Sequence, residues 1–196
     1  GDALSTWFEA RACKNSGART MARGNVSNTG LMMARLCYDL LMEKGRDALA
    51  AVERHEVTPA LEDVVEATIY LSGLGFENGG LAAAHAVNDG FAQEPQAHGM
   101  YHGEKVAFGT LVQLVLEKAP QEELEQVLAF LRDTGLPLTL AQLGVREIVP
   151  ETLKKVAEAA VVPTQSTKNL RADITAQEVY DAILEADRIG RDYLAC

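Results

Sequence analysis

Cysteine is scarce in this chain of 196 residues, and what little there is forms no pattern. Cys13, Cys37 and Cys196 are odd in number and far apart, with no CxxC pair. That excludes a disulfide framework and a zinc ribbon, and leaves free thiols suited to a reducing compartment. The chain is therefore expected in the cytoplasm. Basic residues are outnumbered, 18 Lys and Arg against 28 Asp and Glu, for a net charge of −10. No run of Lys or Arg forms a patch, so a nucleic-acid backbone would be repelled rather than gripped. Long apolar runs are missing as well. The stretch VAFGTLVQLVL at 106–116 falls far short of the roughly 20 residues that a bilayer requires. No membrane partner is expected, and no signal peptide opens the chain. Alternating strand patterns, internal repeats and low-complexity tracts are absent too. Histidine is sparse, yet His85, His98 and His102, three of only four, crowd one short region.

What remains is helical. Hydrophobic residues at 47 % and charged residues at 23 % give an ordinary globular profile. Helical periodicity runs from end to end. Residues 2–16 read as a helix with Leu4, Trp7, Phe8 and Ala12 toward a core. The next helix takes Ser27 or Asn28 as its cap, turns Leu31, Leu36, Leu40 and Leu41 inward, and stops at Gly45. Thr58-Pro59 opens a third helix that runs to about Leu74. Gly79 and Gly80 precede a short helix from Leu81 to about Val87, and another runs from about His102 to Lys118. Segments 121–133 and 151–161 supply two amphipathic helices, and 161–173 reads as an exposed loop. Thr175 and Glu178 form a capping box for the last helix, with Ile174 and Val179 placed as a hydrophobic staple. The expected fold is one all-α, bundle-like domain of about eight helices spanning 1–196. Because the chain opens GDALSTWFEA, without Met and already in a helical pattern, it is expected to be the carboxy-terminal part of something longer.

Alone, His85 in LAAAHAVN is a core histidine satisfied by a backbone carbonyl, and His102 in YHGEK a helix-start residue. Together they suggest more. Two helices folding back antiparallel bring both imidazoles to one point, and two neutral imidazoles plus a carboxylate suit Zn²⁺ or Fe²⁺ with a position left for substrate. Spacing leaves the carboxylate open among Asp2, Glu77, Asp89 and Glu104. His98 is placed beside the ligands rather than among them, and His55, in the charged stretch VERHEV, on the solvated surface.

The motifs GDALSTWFEARAC, TPALE, SGLGFENGGLAAAHAV and YHGEKVAFGTLVQLVLE resemble the helical carboxy-terminal domain of the glycerol dehydrogenase family. That family belongs to the iron-containing alcohol dehydrogenase superfamily, and its helical domain is also similar to that of dehydroquinate synthase. The resemblance is densest over 1–13, 56–91 and 101–117. It implies a catalytic Zn²⁺ held by Asp2, His85 and His102, hydride transfer from glycerol to NAD giving dihydroxyacetone, a homo-oligomer, and Phe76 as a lining residue of the substrate pocket. Two positions and one stretch depart from the family pattern. Thr6 stands where iron-dependent relatives often carry His, which favours a three-ligand zinc site. Asn88 stands where glycerol-oxidising relatives often have His, so the resemblance carries no imidazole proton shuttle there. Around Lys168-Asn169-Leu170 the likeness fades and carries nothing over.

The family's α/β NAD-binding domain lies upstream of GDAL and is absent from this sequence. The glycines at 73, 75, 79 and 80 follow no strand, so they are no dinucleotide fingerprint. The chain alone is therefore expected to be inactive. A different class of reading is a catalytically silent helical assembly module, which needs no metal. A lyase like dehydroquinate synthase would need clustered basic residues for a phosphate-bearing substrate, and only Lys105 lies near the two histidines.

Overall fold

Ser27 begins the longest helix. Its hydroxyl oxygen accepts the backbone N–H of Gly30 at 2.9 Å, satisfying one of the donors that every helix start leaves open. Thr58 does the same for Leu61 at 3.3 Å, with Pro59 in the first helical position. Thr175 and Glu178 bond reciprocally, as the capping-box pattern requires. The computed structural model that shows these contacts describes residues 1–195, so Cys196 lies outside the described residues. Its helices are α1 (Asp2–Ser16), α2 (Asn28–Glu53), α3 (Pro59–Glu66), α4 (Ser72–Gly79), α5 (Ala83–Gly90), α6 (His102–Glu117), α7 (Gln121–Asp133), α8 (Pro150–Ala160) and α9 (Ala176–Ala195). A π turn, Ala67–Leu71, joins α3 to α4 without a break, so the nine stretches make eight rods among the described residues. The expected all-α fold is what the structure has. Its nearest approach to a strand is an isolated bridge between Arg19 and Asn25.

Two compact units emerge from the packing: Asp2–Leu81, and Gly1 with the residues from Ala82 onward. In the first, α1 lies against α2 and α4. Leu4, Phe8, Cys13, Ala34, Cys37 and Leu41 fill its core, and Phe8 meets Tyr38 edge-on at 5.4 Å between ring centroids. Two of the glycines expected to fail as a nucleotide loop, Gly75 and Gly79, serve helix contact instead. A Cβ on Gly75 would sit 2.8 Å from the Thr6 methyl, and one on Gly79 would come 2.5 Å from the Ala10 Cβ.

Three sequence expectations give way here. Helix α2 passes through Gly45 and continues to Glu53, burying Ala48 and Ala51 beyond it. A mid-helix glycine costs only about 1 kcal/mol, too little to end a helix that gains further burial. The inward face is Ala34, Cys37, Tyr38, Leu41 and Gly45, while Leu36 is exposed and Leu31 and Leu40 are half-buried. Ala34 suits its position because α4 approaches closely there: a Cβ on Gly75 would come within 3.3 Å of the Ala34 Cα. Trp7 is half-buried, with the guanidinium of Arg35 over its ring at 5.2 Å.

Cys13 and Cys37 are buried and unbridged. Burial pushes both thiols up to about 12, with the Glu9 carboxylate adding to the effect at Cys13. Alkylation needs the thiolate. Iodoacetamide at about pH 8 should leave both unmodified in the native protein and react only after denaturation, as mass spectrometry of the peptides will show.

In the second unit, α5 is the hub, touching α6 and α8, while α6 and α8 both touch α9. Its residues are small because its neighbours are close. A Cβ on Gly109 of α6 would run into the Ala84 carbonyl, and one on Gly90 would run into that of Val156 on α8. Gly109→Ala should therefore cost about 1–3 kcal/mol by overpacking, measurable as a lowered urea midpoint. The segment 161–173 is more than an exposed loop. It holds a 3₁₀ turn, Ser166–Asn169, whose Ser166 hydroxyl donates to the Ala82 carbonyl at 2.6 Å, just ahead of α5. The buried Thr167 hydroxyl donates to Ala160 at 2.5 Å. On α9, the buried Asp187 carboxylate accepts the Leu140 N–H at 2.8 Å and pairs with Arg191 at 3.0 Å.

Candidate functional site

His85 lies in the first turns of α5, and its neighbours Ala84 and Ala86 are fully buried. The start of α5 is fixed from α6: the Gln113 side-chain oxygen accepts the Ala84 N–H at 3.0 Å, and its amide donates to Glu117 at 2.8 Å. His102 is the first residue of α6. The backbone N–H of the preceding Tyr101 donates to the Glu104 carboxylate at 2.7 Å, which sets where that helix begins. The two imidazoles stand with ring centroids 5.5 Å apart, their planes tilted by 47°. Ala84, near the start of α5, meets Gly109 and Gln113 of α6, and Phe91, just past the end of α5, meets Phe108.

The spacing of the rings admits a shared metal. On one tetrahedral Zn²⁺ with Zn–N bonds near 2.0–2.1 Å, two imidazole centroids sit about 5.2 Å apart. The pair is within a few tenths of an ångström of that arrangement. His85 is half-buried and His102 exposed, so one ring is seated in the protein while the other remains reachable.

Gly1 belongs to the same unit as the histidines. A Cβ there would run into the backbone carbonyl of Gly103 and come within 3.2 Å of the Ala107 Cβ. Only a glycine fits against the first turn of α6 in this way. Asp2 follows it directly and opens α1 in the other unit. The Asp2 carbonyl accepts the Ser5 hydroxyl at 2.9 Å and the Thr6 hydroxyl at 3.2 Å, so the first turn of α1 is tied down by side chains. Thr6 is buried, and its hydroxyl also meets that of Ser72 at 2.9 Å. The Ser5-Thr6 dipeptide, three and four residues after Asp2, was a legible signal of that anchoring.

His98 is exposed and its Nε2 contacts the Ala92 carbonyl at 3.0 Å. It ends a 3₁₀ turn, Pro95–Ala97, and shares no helix with His102. Phe76 is half-buried on α4. Glu77 and Asp89 are exposed and Glu104 is engaged by Tyr101. His55 is exposed just beyond α2, with φ at +56°.

One residue of interest escaped the spacing argument. Asn88, one turn after His85, is buried, and its side-chain oxygen has no hydrogen-bond partner among the described residues. A buried unpaired acceptor is uncommon in a folded protein.

No protein-family model matches the chain. Individual proteins do. A glycerol dehydrogenase of Escherichia coli O6:H1 is 56 % identical over 194 residues, covering 99 % of this chain and 53 % of that protein. One from Pseudomonas putida is 51 % identical, with the same coverage. Among solved structures, a probable glycerol dehydrogenase from Sinorhizobium meliloti superimposes with a TM-score of 0.94 at 44 % identity, covering 97 % of this chain and 54 % of that one. The chain thus spans about half the length of the curated relatives it matches.

Proposed function

We propose, from the premise that this chain is a homologue of the carboxy-terminal half of glycerol dehydrogenases, that it is the metal-binding helical part of an NAD-dependent enzyme oxidising glycerol to dihydroxyacetone. The observation that carries the reading is the imidazole pair, His85 and His102, held at a metal-sharing distance by two helices in contact. Asp2 is the third ligand. Its covalent neighbour Gly1 is fitted against Gly103, the residue after His102, and successive Cα atoms are about 3.8 Å apart. One carboxylate and two imidazoles suit Zn²⁺, and they also accept Fe²⁺.

Bound there, the metal would lower the pKa of a coordinated alcohol toward neutrality, which favours loss of the hydroxyl proton. The chain's own part is to hold three donors in fixed directions and to leave space beside them for a small vicinal diol. Phe76 lines the substrate pocket. The reading gives His98 no ligand role. NAD would be bound by residues outside this chain, so the chain alone should bind metal without turning over. Assembly into a homo-oligomer and a cytoplasmic location complete the reading, the latter resting on the two unbridged thiols.

The test is metal content. Stripped protein supplied with Zn²⁺ should take up one equivalent, read by plasma mass spectrometry. No bound metal, or steady NADH production from glycerol by the isolated chain, would overturn the proposal.

A further inference from the structure

Helix α5 starts without a cap of its own. The residue before it, Ala82, has no side chain that could accept a hydrogen bond, and Ala83 and Ala84 follow, all three fully buried. The first N–H groups of a helix find no partner within it, and buried ones cannot turn to water. Gln113 of α6 supplies what the alanines lack. It is fully buried, and its Oε1 accepts the Ala84 N–H at 3.0 Å from the neighbouring helix. Its Nε2 donates to Glu117 Oε1 at 2.8 Å, one turn further along α6. The amide can therefore face only one way, since an N–H needs its oxygen and a carboxylate needs its nitrogen.

The same stretch of α6 meets the other end of that residue. At Gly109, four residues before Gln113, a Cβ would stand 2.4 Å from the Ala84 carbonyl oxygen. Ala84 is thus met at its N–H and at its carbonyl by two positions on one helix face. His85 is the next residue. His102 lies seven residues before Gly109 and eleven before Gln113. At about 100° per residue, both fall within about 20° of His102 around the axis of α6. One side of α6 therefore carries one imidazole and holds the backbone that carries the other.

We propose that Gln113 is a positioning residue of the metal site: by holding the Ala84 N–H, it fixes where His85 stands relative to His102. This rests on the metal reading above. Gln113 is itself no ligand and acts through the peptide that precedes His85. A site whose supporting groups are lost keeps its donors but not their spacing, and metal affinity registers the difference.

The test uses the chain as it stands. Zn²⁺ affinity is measured by competition with a chromogenic chelator, ligand geometry by the visible spectrum of the Co²⁺-loaded form, and the metal-free melting temperature by circular dichroism. Gln113→Met keeps the length of the side chain and removes both bonds. Its zinc affinity should fall about tenfold, with the Co²⁺ bands shifted. The double exchange Gln113→Glu with Glu117→Gln restores both bonds, since a carboxylate at 113 accepts the Ala84 N–H and an amide at 117 donates to that carboxylate. It should recover affinity to within about threefold of the unsubstituted protein. Leu128→Ala, buried on α7, which carries no metal donor, is the structural control. It should lower the melting temperature yet leave zinc affinity within about twofold and the Co²⁺ spectrum unchanged. Should Gln113→Met fail to fold, Glu117→Ala frees the Gln113 amide to turn and should weaken zinc binding about threefold. Affinity unchanged in the variant that folds, a fall matched by Leu128→Ala, or no recovery in the exchanged form overturns the positioning role while the metal site stands. If the unsubstituted protein takes up no zinc, the metal reading falls and this inference with it.

Discussion

His85→Ala leaves the protein with no stoichiometric zinc, and in the complete enzyme it lowers kcat/KM by about 10³-fold or more. A metal supplies several kcal/mol of charge stabilisation to a developing alkoxide, and each 1.36 kcal/mol is tenfold in rate. Two remaining donors do not hold a zinc that was built for three. The loss should not come from unfolding. His85 is half-buried at the edge of α5, and the replacement matches the alanines on either side of it. His102→Ala should behave alike, since it is exposed at the first position of α6 and the Tyr101–Glu104 contact that starts the helix is untouched. His98→Ala supplies the control. Its ring is exposed and meets the Ala92 carbonyl, so metal content and rate should stay within twofold. Metal analysis together with steady-state kinetics separates the three, and retention of one zinc by His85→Ala would remove the site from α5.

Phe108→Ala should be the most damaging single truncation in the second unit, costing about 3–5 kcal/mol. The side chain is fully buried on α6 and meets Phe91, also fully buried, at 6.1 Å with ring planes 69° apart. That edge-to-face pair fastens the far end of α5 to α6, just as Ala84 and Gln113 fasten the near end. Losing it opens a cavity that the clamped helices cannot collapse into, because Gly109 and Gly90 already touch backbone carbonyls. For a protein of this size the melting temperature should fall by about 10 °C. Zinc affinity should fall as well, since α5 and α6 each contribute one imidazole. A drop of under about 1 kcal/mol would mean that the two rings are not the rivet described.

Much of this was legible in the residues. Helix α7 runs Gln121–Asp133, the segment that periodicity marks, and α1 likewise matches its marked span. The capping oxygens of Ser27, Thr58 and Thr175 are where their residue types put them, because capping is a local event between neighbours. The two histidines could be paired on paper for a similar reason: few residue types have a use for such company. What could not be read was set by distant partners. Leu36 looks like core but is 48 % exposed, since the inward face of α2 runs through Ala34, Cys37, Tyr38 and Leu41 instead. Gly45 looks like a stop only to a reader who cannot see what lies buried beyond it. Asn88 carried no pattern at all, because its orphaned oxygen is defined by what fails to reach it in space.

The π turn between α3 and α4 carries a historical consequence. Such a turn holds one residue more than an α-helix needs, and one residue is about 100° of rotation. Every side chain from Ser72 onward is therefore turned by that angle relative to the frame set by Thr58. Gly75 and Gly79 face Thr6, Ala34 and Ala10 only because of it. The extra residue and the two glycines are thus a single heritable unit. Deleting a residue from Ala67–Leu71 would swing the glycines aside and bring neighbours with side chains into the same tight seam. A descendant of this chain can lose the insertion, or the glycines, only by replacing both together.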